Sequence, residues 1–170
     1  YDTLDIPGDP TKGHAWRLNA WWPNLEELNY RLTYFKPLEV GDNWRTYFRL
    51  GYAEGDMDFR RHAAYLGAAE ELYSLSSRPV EAERMVWANV AFRRVLNRSV
   101  LGIVAVELFG SYGYAMDREY GKIASPWEVG LAVNFPNNII DAKLAAMYGS
   151  EEFKVGFFLG VPIWDHYPLP

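Results

Sequence analysis

Residues 44–53, Trp44-Arg45-Thr46-Tyr47-Phe48-Arg49-Leu50-Gly51-Tyr52-Ala53, decide how the chain is read. Thr46, Phe48, Leu50 and Tyr52 fall on one side of a period-two repeat, and Arg45, Tyr47, Arg49 and Gly51 on the other. Side chains of a strand point alternately to its two faces, so this spacing predicts a strand with one bulky uncharged face and one charged face relieved by glycine. A helix would mix the two sets around its circumference.

The same alternation recurs on both sides of this stretch. Trp16, Leu18, Ala20 and Trp22 oppose Arg17, Asn19 and Trp21, and Leu28, Tyr30, Leu32 and Tyr34 oppose Asn29, Arg31 and Thr33. Downstream, Val86, Ala88, Val90 and Phe92 oppose Trp87, Asn89, Ala91 and Arg93. Val104, Val106 and Leu108 oppose Ala105, Glu107 and Phe109, and Val129, Leu131, Val133 and Phe135 oppose Glu128, Gly130, Ala132 and Asn134. Ile140, Ala142, Leu144, Ala146 and Tyr148 oppose Asp141, Lys143, Ala145 and Met147. The last run sets Phe153, Val155, Phe157, Leu159, Val161 and Ile163 against Lys154, Gly156, Phe158, Gly160 and Pro162. Turn-forming residues separate the runs at Trp22-Pro23-Asn24, Lys36-Pro37 to Gly41-Asp42-Asn43, Leu96 to Ser99, Phe135 to Asn138 and Gly149-Ser150. Many short strands with short turns predict an antiparallel meander closed into a barrel, because closure removes the exposed edges.

Composition narrows the function. The chain has 170 residues, no cysteine, 17 Lys plus Arg, and 22 Asp plus Glu, for a formal net charge of -5. An acidic balance disfavours a sequence-independent nucleic-acid binder, which needs a basic surplus. The lack of cysteine excludes disulfides, thiol nucleophiles and cysteine-bound zinc. Aromatic residues reach 16%, which excludes disorder. Arg outnumbers Lys by 12 to 5. Arg is favoured where a cation must be fixed among several partners in a partly dry place. No apolar run is long enough for a transmembrane helix.

Alternation allows two opposite barrels. A soluble one turns its apolar face inward, whereas a membrane barrel turns that face to lipid and fills its interior with the polar one. The polar face mixes Arg17, Arg31, Arg45, Arg49, Arg93, Glu107, Glu128, Asp141 and Lys143 with small residues such as Gly51, Gly130, Gly156, Ala91 and Ala132. That blend suits a narrow interior in which opposite charges pair. The other face is nearly free of charge and carries Trp16, Trp22, Tyr34, Tyr52, Phe92, Phe135 and Tyr148 near segment ends, where aromatic girdles lie.

The phrases Tyr47-Phe48-Arg49-Leu50-Gly51-Tyr52-Ala53, Gly110-Ser111-Tyr112-Gly113-Tyr114-Ala115 and Val129 to Phe135 resemble strands of small bacterial outer-membrane β-barrels. The hairpin over 127–148 is similar in the same way. The likeness covers most of 14–164 and is one of style, with no diagnostic motif. It implies an all-β, antiparallel up-and-down transmembrane β-barrel of about eight to ten strands over 14–164, an irregular arm over 1–13 and a tail over 165–170. It also implies an outer-membrane location with the leader already removed, and the lipid bilayer as partner. Two departures stand against it: such barrels usually end on an aromatic residue, whereas here a six-residue tail follows Trp164, and the segments counted are eight or nine where the class prefers an even number.

The expected role is structural or transport-accessory, with a charged interior that holds or passes a small polar or amphiphilic ligand. The plainer reading makes the same charges an ion-pair network filling the barrel. A rim-located lipid-modifying enzyme would use His62 or His14 as base, but no histidine has a serine partner at catalytic spacing. Metal-ligand spacing is lacking too, and no cofactor is expected. The acidic runs Glu26-Glu27, Glu54 to Asp58 and Asp117 to Glu119 match no calcium loop. A soluble barrel binding an apolar ligand is a further alternative. So is a mostly α-helical subunit of a larger assembly, because 58–75 and 78–96 carry helix-like composition and Ser125-Pro126-Trp127-Glu128 has capping-box spacing.

Overall fold

The computed structural model describes residues 3, 12–21, 28–55, 64–66, 72, 80–99, 102–117, 121–135, 141–150 and 152–160. The described residues are all-β. In chain order the strands are β1 (Ala15–Trp21), β2 (Asn29–Gly41), β3 (Trp44–Glu54), β4 (Ala64–Leu66), β5 (Val80–Ala82), β6 (Arg84–Ser99), β7 (Gly102–Asp117), β8 (Gly121–Ala124), β9 (Trp127–Phe135), β10 (Asp141–Gly149) and β11 (Phe153–Gly160). One antiparallel sheet of nine strands runs β1-β2-β3-β6-β7-β9-β10-β11, with β8 added beside β7. A separate hairpin pairs β4 with β5. The sheet is not closed: among the described residues, no ladder joins β1 to β11.

Over 78–96, where a helix stood only as the alternative to alternating strand, the structure has β5 and β6, and Ala64–Leu66 within 58–75 is strand. The mostly α-helical alternative therefore falls, as no described residue is helical. The physical reason is visible in β6. Its Ala, Arg, Met and Leu residues suit a helix by propensity, but alternation sends Met85 and Trp87 to the buried face and Val86 and Phe92 to the other, and that tertiary burial overrides local preference. The capping-box spacing at 125–128 likewise opens β9, and Glu128 instead accepts a hydrogen bond from Ser111 Oγ at 3.1 Å.

The long β2 also runs through Lys36-Pro37, which the sequence marks as a turn; the turn sits at Asp42 and Asn43. Proline is tolerated there because β1 starts at Ala15, opposite Phe35, so β2 has a neighbour on one side only at Pro37. The ladder shifts between Glu39 and Gly41, and Gly41 takes a φ of 153° that a side chain would disfavour.

Connections differ between the two ends of the sheet. One end carries the links over 42–43, 100–101 and 136–140, and β11 runs toward it as far as Gly160, whereas β1 starts midway along β2. The other carries those over 22–28, 55–83, 118–126 and 150–152. These are called the turn end and the loop end below. At the loop end, Leu72 and Ala82 from the β3–β6 connection pack with Ala53, Met85, Trp87 and Ala115 in one buried apolar cluster.

Candidate functional site: the charged face of the sheet

Cross-strand register places the charged candidates on one face. Arg17 pairs with Thr33, then Gly51, Trp87 and Gly113. Phe35, Arg49, Asn89, Ser111 and Glu128 form the next row, and Arg45, Arg93, Glu107, Ala132 and Ala145 a third. Arg31 lies level with Ala53, Met85 and Ala115, and Lys143 with Asn134 and Ala105. Asp141 opens β10 opposite Gly160; its side chain lies outside the described residues.

This polar face is the buried one. Arg45 is 3% exposed, Glu107 4% and Glu128 1%, while Arg17, Arg31, Arg49, Arg93 and Lys143 are half-buried. The opposite face is apolar and open: Leu131 is 64% exposed and Phe157 63%, with Trp16, Leu50, Phe92, Leu108 and Val129 beside them in the same pattern. In β9 the alternation is unbroken from Trp127 to Ala132, exposing Trp127, Val129 and Leu131 and burying Glu128, Gly130 and Ala132. Thr46 departs from the rule: it shares the open face yet is buried.

At the turn end the buried charges form a closed set. Glu107 receives Arg93 Nε at 3.0 Å and Nη2 at 2.9 Å on Oε2, and Lys143 Nζ at 2.8 Å on Oε1. Two cations thus share one carboxylate, reaching it from β6 on one side and across β9 on the other. Arg45 donates from Nη1 to the carbonyls of Gly41 and Trp44, each at 3.1 Å, and pairs with Glu39 at 3.2 Å. Aromatic faces hold the same cations from the other side. Arg93 sits 4.6 Å from the Tyr47 ring centre and Lys143 Nζ 4.5 Å from that of Phe109. Arg31 lies 4.8 Å from Trp87, and Arg49 5.7 Å from Phe35. A guanidinium over an aromatic ring gains more as it loses water, which is the situation on a crowded inner face.

Glycine makes room for those rings. A Cβ on Gly51 would run into the Trp87 ring directly opposite it, and one on Gly130 would meet Phe109 and, at 2.9 Å, the carbonyl of Ala146. The small residues of the polar face thus accommodate aromatic platforms on which the cations rest.

Sequence reasoning missed one polar group on the open face. Glu54 Oε2 accepts from Tyr30 Oη at 2.7 Å and Tyr52 Oη at 2.9 Å, and its Oε1 accepts from Arg84 Nε at 2.9 Å. Tyr30, Glu54 and Arg84 are direct cross-strand neighbours at the loop end. The signal was present in Tyr52-Ala53-Glu54, where the period-two face carries past the tyrosine into the acid, but the acidic run 54–58 reads as a loop.

His14 lies just before β1, its backbone N–H donating to Thr3 Oγ1 at 3.0 Å and its ring 6.3 Å from Tyr34. His62 lies outside the described residues. Among the described residues there is no group of metal-ligating residues and no helix long and apolar enough to cross a membrane. No protein-family model, curated protein or solved structure matches the chain.

Proposed function

We propose that this protein is a small transmembrane β-barrel of a bacterial outer membrane, built as a filled structural barrel rather than an open pore. The observation that carries the reading is the inverted polarity of the sheet: Arg45, Glu107 and Glu128 are buried and Arg17, Arg31, Arg49, Arg93 and Lys143 half-buried on one face, while Leu, Val, Phe and Trp line the open one. In water that arrangement wastes the hydrophobic effect on every strand. In a bilayer it is the stable one, because the outer side chains meet hydrocarbon. A soluble barrel with an apolar interior would need the two faces exchanged.

The dimensions support it. On the open face of β6, Val86, Ala88, Val90 and Phe92 lie between Arg84 and Arg94. Those arginines are separated by roughly 33 Å of strand, which at a tilt of about 40° spans roughly 25 Å, the height of the apolar band of such barrels. Arg94 rests 5.4 Å from the Trp44 ring, and Arg84 joins the Tyr30–Tyr52–Glu54 group. Amphipathic rings beside charges are what a membrane–water boundary favours. Eight strands in meander order, with the connections over 22–28, 55–83 and 118–126 at one end longer than any at the other, fit the asymmetry between the periplasmic and the external side.

The interior favours structure over passage. An eight-stranded barrel leaves a space that side chains fill. Here the Arg93–Glu107–Lys143 set occupies the turn end and the cluster of Leu72, Met85 and Trp87 the loop end. Any ligand it holds is therefore small and polar, bound among the charges.

The test is reconstitution into detergent and lipid vesicles. The protein should stay in the detergent or lipid phase, give a β-rich circular dichroism spectrum and migrate differently on a gel before and after boiling, without raising bilayer conductance. Full solubility in plain buffer as a folded monomer would overturn the membrane reading, and large stable conductance steps would overturn the filled interior.

A further inference from the structure

At the turn end of the buried face, cations are closed off by carboxylates: Arg93 and Lys143 share Glu107, and Arg45 pairs with Glu39. Two cations on the open face are placed differently. At the loop end, direct cross-strand partners on that face run Tyr30, Glu54, Arg84, Met116 and Lys122, from β2 through β3, β6 and β7 to β8. Arg84 and Lys122 therefore flank Met116, two strand spacings or roughly 10 Å apart at the backbone. Arg84 donates to Glu54 through Nε at 2.9 Å, while its Nη1 and Nη2 make no hydrogen bond among the described residues. Lys122 is exposed, with Nζ 5.8 Å from the Tyr114 ring centre and no ion pair among the described residues. Glu54, bound also by two tyrosine hydroxyls, thus fixes one edge of the guanidinium and leaves its fork open. At the turn end the open-face cations are scattered: Lys36 lies level with Val90, four residues along β6 from Arg94.

A trough runs from this pair toward the turn end. Val86 and Ala88 follow Arg84 on the open face of β6. Tyr52 and Leu50 of β3 flank them residue for residue on one side, and Tyr114 and Tyr112 of β7 on the other. Larger side chains on both sides of smaller ones leave a channel along β6. Val86 is 43% exposed, so the floor of that channel is open.

We propose that this place binds a lipid carrying a terminal phosphate, with the phosphate between Arg84 and Lys122 and an acyl chain in the trough. The donors select a monoester. The guanidinium fork takes two oxygens and the ammonium a third. A terminal phosphate presents three outer oxygens and carries most of two negative charges near neutral pH, whereas the diester of an ordinary phospholipid presents two oxygens and one charge. The trough argues for a lipid over free phosphate, because only a hydrocarbon chain gains from covering Val86 and the rings beside it. The proposal rests on the membrane reading above and adds a particular lipid class to it.

The test uses the full chain in phosphatidylcholine vesicles with a trace of spin-labelled phosphatidic acid or, in a parallel sample, spin-labelled phosphatidylglycerol, an anionic diester. The motionally restricted fraction of the label reads the lipid held at the protein. Phosphatidic acid should be held about tenfold more tightly than phosphatidylglycerol, the equivalent of one charge-assisted hydrogen bond. Lys122→Gln and Arg84→Gln should each remove most of that preference, and Lys122→Gln breaks no hydrogen bond among the described residues. Lys36→Gln should leave the preference intact. Equal retention of the two lipids would overturn the proposal, as would a preference that survives both Lys122→Gln and Arg84→Gln. Displacement of phosphatidic acid by inorganic phosphate at the same concentration would give the site to free phosphate and overturn the lipid assignment. Release of the unsubstituted protein from washed vesicles would strike the membrane reading and this proposal together, whereas retention without preference strikes the proposal alone.

Discussion

The two ends of the buried face are filled by different means. At the turn end, Glu107 is held by Arg93 and Lys143, with Tyr47 and Phe109 beneath the cations. At the loop end, Met85 and Trp87 meet Leu72 and Ala82 from the β3–β6 connection. The first solution uses residues of the sheet alone, reaching between β6, β7 and β10. The second borrows chain from outside the sheet. The difference teaches that a polar stretch of the buried face satisfies itself when its charges are matched in place, whereas an apolar stretch of the same face needs a cover.

The comparison breaks most readily at Glu107. Glu107→Ala leaves Arg93 and Lys143 buried around a missing carboxylate, and removing one partner of a buried pair costs about 3–5 kcal/mol. The urea midpoint of the lipid-bound protein should fall accordingly, and Glu107→Gln should lie between it and the native protein. The outer face gives the next effect. Leu131→Arg, near mid-strand and 64% exposed, should cost about 2–4 kcal/mol in a bilayer. An unchanged midpoint would mean that Leu131 meets water.

The loop end is probed by Gly51→Ala. The added methyl collides with the Trp87 ring, and overpacking of this kind costs about 1–3 kcal/mol. Trp87→Phe on the Gly51→Ala background should recover part of the loss, which a backbone effect of alanine would not. The smallest effect belongs to Arg84→Ala at the boundary. Arg84 is 42% exposed beside Glu54, so its loss should shift the midpoint by about 1 kcal/mol or less, and Glu54 keeps both tyrosine hydroxyls.

Much of the sheet was legible residue by residue. Arg45, Arg49 and Gly51 share a face because strand side chains have period two, and the structure turns all three to the same side, Arg45 and Gly51 buried and Arg49 half-buried. Segments richer in helix formers misled, because β6 reads ambiguously until Trp87 finds Gly51 across the ladder. Pro37 misled too, since only the late start of β1 leaves room for a proline inside β2. The pairing of Lys143 with Glu107 was illegible for a different reason: the residues lie on strands separated by β9, and no local pattern encodes that reach.

The sequence by itself determined that the chain forms strands with one charged and one apolar face, because alternation is a local property of each segment. Only the tertiary structure decided how deeply each charge is buried, which cations share a carboxylate, and how far the two edge strands are offset. Burial, pairing and offset are sums over many ladders, and no single strand contains them.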